Sequence, residues 1–175
     1  MTNDNAVFRR ELVSLLPRLR RFAMALAGSR DGAEDLLQSA IEKALRHWDT
    51  FESGRRLDSW LFKIMQNVWL DMRRSAQRGP MFTDEPYDGI GEDGRVVVAA
   101  RQDLGAVREA FAELPEDQRA VLALVVFEGF SYAEAAQALD VPVGTIMSRL
   151  ARGRAAIATR VKGAVVAGQV REQKS

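Results

Sequence analysis

The 175-residue chain has no cysteine and a single histidine, His47. The first absence removes disulfides, thiolate nucleophiles and thiolate metal sites, and the second removes most sites built on imidazole. Metal-assisted and covalent catalysis therefore have little to work with, and no cofactor is expected. His47 sits between Arg46 and Trp48 in a helical stretch and reads as an ordinary surface or boundary residue. Long apolar runs are missing too, with none approaching the ~20 residues that span a bilayer. Polar Thr2 to Asn5 followed by Phe8-Arg9-Arg10-Glu11 does not resemble the opening of a secretory signal. A cytoplasmic protein without membrane insertion is the expectation. Useful β-alternation is also absent, which leaves an all-α fold.

Charge nearly cancels, at +1 overall, but is unevenly placed. Residues 1–78 carry 14 basic and 10 acidic side chains, residues 79–103 carry 2 and 6, and residues 104–175 carry 9 and 8. Two basic-leaning blocks thus flank an acidic one. The middle block, GPMFTDEPYDGIGEDGRVVVAARQD, holds two prolines and four glycines with little helical periodicity. It reads as a flexible acidic linker (79–103) joining two small helical domains, 1–78 and 104–175. Its carboxylates lack the D-x-D-x-D-G register of a calcium loop.

In the first block Phe8, Leu12, Leu15, Leu19, Phe22 and Leu26 recur at steps of 4 and 3, the signature of an amphipathic helix. Pro17 is expected to kink or divide it after Leu16, and Gly28 to end it. Asp31 with Glu34 can cap a second helix over about Gly32 to Trp48, with Leu37, Ile41, Ala44 and Trp48 on one face. Asp58 can cap a third, in which Leu61, Ile64 or Met65, Val68 and Met72 face inward and Lys63, Asn67, Asp71 and Arg74 form the opposite stripe. Trp60 and Trp69 flank that helix near Arg55, Arg56, Arg73, Arg74 and Arg78. They are either core residues or, interleaved with arginines, stacking platforms for single-stranded nucleic acid.

The second block carries the most informative stretch, SYAEAAQALDVPVGTIMSRLARGRAAI, residues 131–157. Ser131 and Glu134 form an S-x-x-E capping box, predicting a helix from about Tyr132 to Leu139. Asp140, Val141 and Pro142 then supply a turn, Pro142 being tolerated at or just before a helix start. In the helix that follows, Ile146, Leu150 and Ile157 face inward while Ser148, Arg149 and Arg152 point out. Between Val141 and Val170 there are five basic residues, Arg154 among them, and no acidic one. A helical hairpin with a solvated basic face would account for the charge alone. The box, the turn length and the missing acids together match a helix-turn-helix aimed at a phosphate backbone.

The order of these parts resembles extracytoplasmic-function sigma factors of the bacterial sigma-70 family. The resemblance is carried by AEDLLQSAIEKAL (33–45), LDSWLFKIMQNVWLDMRR (57–74), LPEDQRAVLALVVFEGFSYAEAAQALDVP (114–142) and VGTIMSRLARGRAAI (143–157). It implies a sigma-2 domain in residues 1–78, a sigma-4 domain in 104 to about 165, and a protein that directs core RNA polymerase to promoters and aids their melting. Carried over by motif, Glu34, Asp35, Leu36 and Gln38 fall where such proteins dock on the β′ clamp helices. The loop Asp49 to Leu57, with Arg55, Arg56 and Trp60, matches the segment that captures a base flipped from the minus-10 element. Asn67, Asp71, Arg73 and Arg74 lie on the helix facing that DNA. Thr145, Ser148, Arg149, Arg152 and Arg154 match the minus-35 recognition helix, with Met147 standing where many relatives have a basic or polar side chain. Implied partners are core polymerase (β′ clamp helices and β flap), promoter DNA and an anti-sigma protein.

A stand-alone helix-turn-helix regulator explains residues 131–157 equally well, but not AEDLLQ followed by a tryptophan-rich basic helix. An enzyme built on His47 and the acidic linker lacks an activated nucleophile or a metal shell. After Ile157 only a short basic tail remains, so regulation is expected to come largely from outside the chain.

Overall fold

The computed structural model describes the backbone of residues 2–52, 54–76 and 98–172, with side chains over 5–52, 54–76 and 105–162. All regular structure among them is helical. Most of the acidic segment, and with it the calcium-loop question and the linker's flexibility, lies outside the described residues. Its end does not: Val98–Asp103 already belongs to a helix, so the second helical block begins earlier than the charge pattern placed it.

The first block is a bundle of α1 (Thr2–Ala27), α2 (Arg30–Arg46) and α3 (Leu57–Ala76). Phe8, Leu12, Leu19, Phe22 and Leu26 of α1 are buried, and Leu15 is half-buried, as the 4-and-3 spacing requires. Contrary to expectation, Pro17 does not divide α1. A mid-helix proline frees the carbonyl four residues back, here that of Val13, and both residues lie on the exposed face, which leaves that carbonyl open to solvent. Gly28 ends the helix at φ +70, its amide donating to the Met24 carbonyl at 3.0 Å.

Ser29, not Asp31, caps α2: its hydroxyl accepts from the Gly32 amide at 3.3 Å. Asp31 falls within the first turn, where its charge complements the helix dipole. His47 lies just past the helix as its C-cap, exposed, and Trp48–Thr50 form a short 3-10 turn. Asp58 does not cap α3 either, because the helix has already begun at Leu57 and the carboxylate is engaged by two arginines. Leu61, Met65 and Val68 are buried, with Ile64 and Met72 partly so. Phe22 and Phe62 meet edge to face at 5.0 Å in the bundle's centre.

The second block comprises α4 (Val98–Ala112), α5 (Glu116–Leu122), α6 (Tyr132–Leu139) and α7 (Val143–Glu172). Helix α5 widens into a π turn over Ala123–Phe127, closed by the Glu128 amide donating to the Ala123 carbonyl at 3.0 Å and by Gly129 at φ +70. Helix α7 lies so close to α5 at Gly153 that a Cβ there would sit 2.8 Å from Leu122 Cδ1.

The blocks are not independent in this structure. One contiguous buried cluster runs from Phe8 through Phe62 to Phe130, Leu139 and Leu150. Helix α3 packs on α6, α1 on α5, and Phe62 meets Phe130 edge to face at 5.3 Å.

Candidate nucleic-acid and polymerase interfaces

The helix-turn-helix forms as its sequence dictates. Ser131 Oγ accepts from the Glu134 amide at 3.2 Å while the Glu134 carboxylate accepts from the Ser131 amide at 2.8 Å, so both halves of the capping box are made. Asp140 takes a left-handed conformation (φ 54), which a short polar side chain tolerates. The Thr145 amide donates to the Pro142 carbonyl at 2.9 Å, starting α7. Ile146 and Leu150 are buried and Ile157 is half-buried, which fixes the rotation of α7. Ser148, Arg152 and Arg154 are exposed, Thr145 is half-buried, and Met147 is 54% exposed beside them. Arg149 departs from expectation: its guanidinium is only 25% exposed and sits 2.9 Å from the Asp117 carboxylate of α5. It turns inward because α5 offers a charge partner there.

A second surface follows α3. Arg55 is exposed and pairs with Glu52 at 2.6 Å. Arg56 binds Asp58 and reaches across to Glu134 of α6. Trp60 is half-buried, with its ring 6.1 Å from Phe8 and 5.5 Å from Phe51. It is held in the first block's packing, so the core reading prevails over a free stacking platform. Arg73 lies over the Trp69 ring at 6.0 Å and pairs with Glu116 of α5. Asp71 lies 3.3 Å from Arg74 and 4.0 Å from Lys43, and Asn67 is exposed. Lys43, Asn67, Asp71 and Arg74 line a cleft of about 590 Å³ whose opposite wall includes Arg149. Gln66 Oε1 and Trp69 Nε1 are buried without a hydrogen-bond partner among the described residues.

A third surface is the outer face of α2. Glu34, Asp35 and Gln38 are exposed there, Glu34 accepting from Arg30 at 3.2 Å and Gln38 donating to Glu42 at 3.1 Å. Leu36 does not join them. It is 0% exposed, one of the bundle's central side chains, and so has no surface to offer a partner.

Sequence reasoning missed the polar seam between the blocks. Glu128, its side chain 2% exposed, receives Arg18 at 2.5 Å and Arg21 at 2.9 Å. Asp58 receives Arg18 at 2.9 Å, Arg56 at 2.8 Å and the Ser59 amide at 2.8 Å. Burial pushes the Asp58 carboxyl up, but the bonds from Arg56, Arg18 and Ser59 outweigh it and hold the group below the usual carboxylate range. Glu134 is held low as well, first by the Ser131 amide and hydroxyl and then by Arg56. Arg119 of α5 donates to the Ala25 and Leu26 carbonyls at 2.7 and 3.0 Å and to the Leu114 carbonyl at 2.8 Å. One guanidinium thus satisfies carbonyls left open at the end of α1 and at the turn before α5. The one available sequence signal was a lone acid, Glu128, inside the apolar run VVFEGF.

Among the described residues no group of His, Cys, Asp or Glu is placed to hold a metal ion, and no helix is long and apolar enough to cross a membrane. The arrangement instead defines a two-block helical protein with a helix-turn-helix in the second block. Residues 12–79 match the family Sigma-70 region 2, and residues 104–157 match Sigma-70, region 4. The ECF RNA polymerase sigma factor EcfG of Rhodopseudomonas palustris is 36% identical over 148 residues, covering 83% of this chain and 80% of that protein. SigM of Mycobacterium tuberculosis is 34% identical over 141 residues, covering 81% and 70%. The sigma factor RpoE of Bartonella quintana, solved in complex with the anti-sigma factor NepR, superposes with a TM-score of 0.75 at 34% identity, covering 89% of this chain and 96% of that one. CnrH, solved with the cytosolic domain of CnrY, shares the fold at 22% identity with a TM-score of 0.64, covering 93% and 94%. The chain belongs to the ECF sigma factors of the sigma-70 family. It directs RNA polymerase to promoters, and the stand-alone regulator is not favoured.

Proposed function

We propose that the chain divides this task between its blocks and performs no chemical step itself. Residues 1–78 act as the sigma-2 domain and residues from α4 onward as the sigma-4 domain. Glu34, Asp35 and Gln38 form the clamp-helix contact, since they are exposed together on one face of α2. The loop Asp49 to Leu57 and the α3 stripe of Asn67, Asp71, Arg73 and Arg74 meet the minus-10 element. Binding a flipped base in a protein pocket offsets an unstacking cost of a few kcal/mol, which is how such a site would favour the melted strand. Ser148, Arg152 and Arg154, with Thr145, read the minus-35 major groove.

The observation that carries this reading is the basic, exposed face of α7 behind a fully formed capping box, in a chain whose other block offers an acidic polymerase-type face. The exposed apolar side chains Val107, Val126 and Phe127, the last 54% exposed and 5.7 Å from the Phe111 ring, suit the β flap. The protein works in the cytoplasm, and an anti-sigma protein restrains it, as NepR is bound to RpoE. The deciding experiment is transcription in vitro by core polymerase with and without the protein, followed by sequencing of the 5′ ends. Initiation at a shared motif only when the protein is present is expected; no added initiation overturns the assignment.

A further inference from the structure

The outward face of α7 has one apolar edge and one polar edge. Val143 and Met147 are 43% and 54% exposed, and Ala151 is exposed after them. They recur every fourth residue, so they form one strip along the helix. The strip begins at the first residue of α7, the end whose side chains meet base edges in a helix-turn-helix. Ser148 and Arg152 make the other edge, the Arg152 Nε lying 3.3 Å from the Ser148 carbonyl to which it donates. Arg149 is withdrawn from that edge by Asp117. Between the edges stand Gly144 and Ala155, both exposed and too small to hold the helix away from a groove.

An isolated apolar side chain on a surface needs no partner. Val143 and Met147 are instead neighbours on successive turns, in a stretch from Val141 to Val170 that is basic and has no acid. Covering them against another apolar group is favourable, and the apolar group that a major groove presents is the C5 methyl of thymine. Both edges can be engaged at once. Met147 and Arg152 lie about 140° apart around the helix axis and about 7.5 Å apart along it, roughly two base-pair steps of 3.4 Å. A helix that sets Arg152 over the acceptors of a guanine on one strand therefore turns Met147 toward the other strand.

We propose that Met147, flanked by Val143 and Ala151, is a specificity-determining residue that reads the C5 methyl of a thymine in the minus-35 element, on the strand opposite the guanine bound by Arg152. This rests on the assignment of α7 to that element. Arg152 selects by hydrogen bonding and Met147 by apolar contact, so the two test different base pairs. Cytosine at the Met147 position lacks the methyl and presents an amino donor that a thioether serves poorly. The flexible, unbranched Met147 side chain can follow the methyl where a branched one could not.

The test uses holoenzyme, reconstituted from core polymerase and the full chain, on promoter fragments whose minus-35 element is set by the mapped 5′ ends. Each thymine of that element is replaced in turn by deoxyuridine, which keeps base pairing and removes only the methyl. Fluorescence anisotropy at fixed salt reads Kd for wild type, Met147→Ala, Met147→Leu and Arg152→Ala. One buried methyl corresponds to roughly a fourfold change in Kd. Replacement of one thymine, on the strand opposite the Arg152 guanine, is expected to weaken wild type and Met147→Leu by about that factor and Met147→Ala not at all. Deoxyuridine in the spacer should affect none of them. Met147 is exposed, so thermal melts of its variants should match wild type. A wild type indifferent to every deoxyuridine, a Met147→Ala variant as sensitive as wild type, or an element with no thymine on that strand overturns the proposal. Arg152→Ala separates the two levels. If it weakens binding while deoxyuridine does not, the methyl contact alone is wrong; if Arg152→Ala, Met147→Ala and every deoxyuridine are all without effect, the minus-35 assignment of α7 falls with it.

Discussion

Two glycines of α7 make opposite predictions for the same substitution. At Gly144 an added Cβ meets nothing within 4 Å, so Gly144→Ala acts only through backbone freedom and should stabilise by about 0.4–1 kcal/mol. At Gly153 the same Cβ would lie 2.8 Å from Leu122 Cδ1 and 3.5 Å from Gln118 Cβ. Leu122 is 4% exposed, with Val121 and Leu124 fully buried on either side, so its methyl has no empty space to enter. Overpacking of this kind costs about 1–3 kcal/mol. Subtracting the same backbone gain leaves Gly153→Ala destabilised by about 1 kcal/mol. For a chain of this size that lowers the melting temperature by about 2–4 °C, while Gly144→Ala raises it by somewhat less. Urea titrations and thermal melts of the two variants decide the matter together. If Gly153→Ala gains as much as Gly144→Ala, the close approach of α7 to α5 is wrong, and so is the rotation assigned to the DNA-reading face.

Arg152→Ala should leave the melting temperature within about 1 °C, since the side chain is exposed, and should lower initiation at cognate promoters by roughly 5- to 150-fold if the contact is a bidentate one to guanine. Unchanged initiation in a purified transcription assay removes Arg152 from the reading set. Asp35→Lys should weaken capture of core polymerase in a pull-down without altering thermal stability, and full retention would count against the α2 face. Asp58→Asn should destabilise by about 1.5–3 kcal/mol near neutral pH, because Arg18 and Arg56 lose a shared anion. The folded Asp58 carboxyl titrates below its ordinary value near 3.8, so its contribution is present above that value and is lost as pH falls through the lower folded one. The difference between wild type and Asp58→Asn in urea midpoints should therefore hold from pH 7 to about 5 and shrink below pH 4; a constant difference down to pH 3 contradicts the assigned bonds.

What could be read in advance was whatever a single helix decides alone. The 4-and-3 spacing of Phe8 to Leu26 named the buried face of α1, and the Ser131–Glu134 box located α6 to the residue. Local rules failed where two candidates competed nearby. Ser29 outcompeted Asp31 for the cap of α2, and Asp58 was drawn from capping into an ion-pair network by arginines distant in sequence. Pro17 failed as a breaker because exposure leaves the carbonyl it frees open to solvent. Leu36 was carried into the polymerase face with its neighbours by motif, although its place between Ala33 and Ala40 on the buried stripe marks it as core. The inward turn of Arg149 and the seam through Glu128 were illegible for one reason: their partners lie on other helices, and charge counting assigns no geometry.

Arg18 and Glu128 lie 110 residues apart, and Arg56 and Glu134 lie 78 apart. During synthesis at about 5–20 residues per second, Arg56 therefore exists for about 4–16 s before Glu134 has been polymerised at all. Every newborn copy passes through an interval in which the arginines of its first block have no second-block carboxylate to meet. A ribosome that stops within the acidic segment makes that interval permanent, releasing a fragment in which Arg18 and Arg56 keep Asp58 but never meet Glu128 or Glu134.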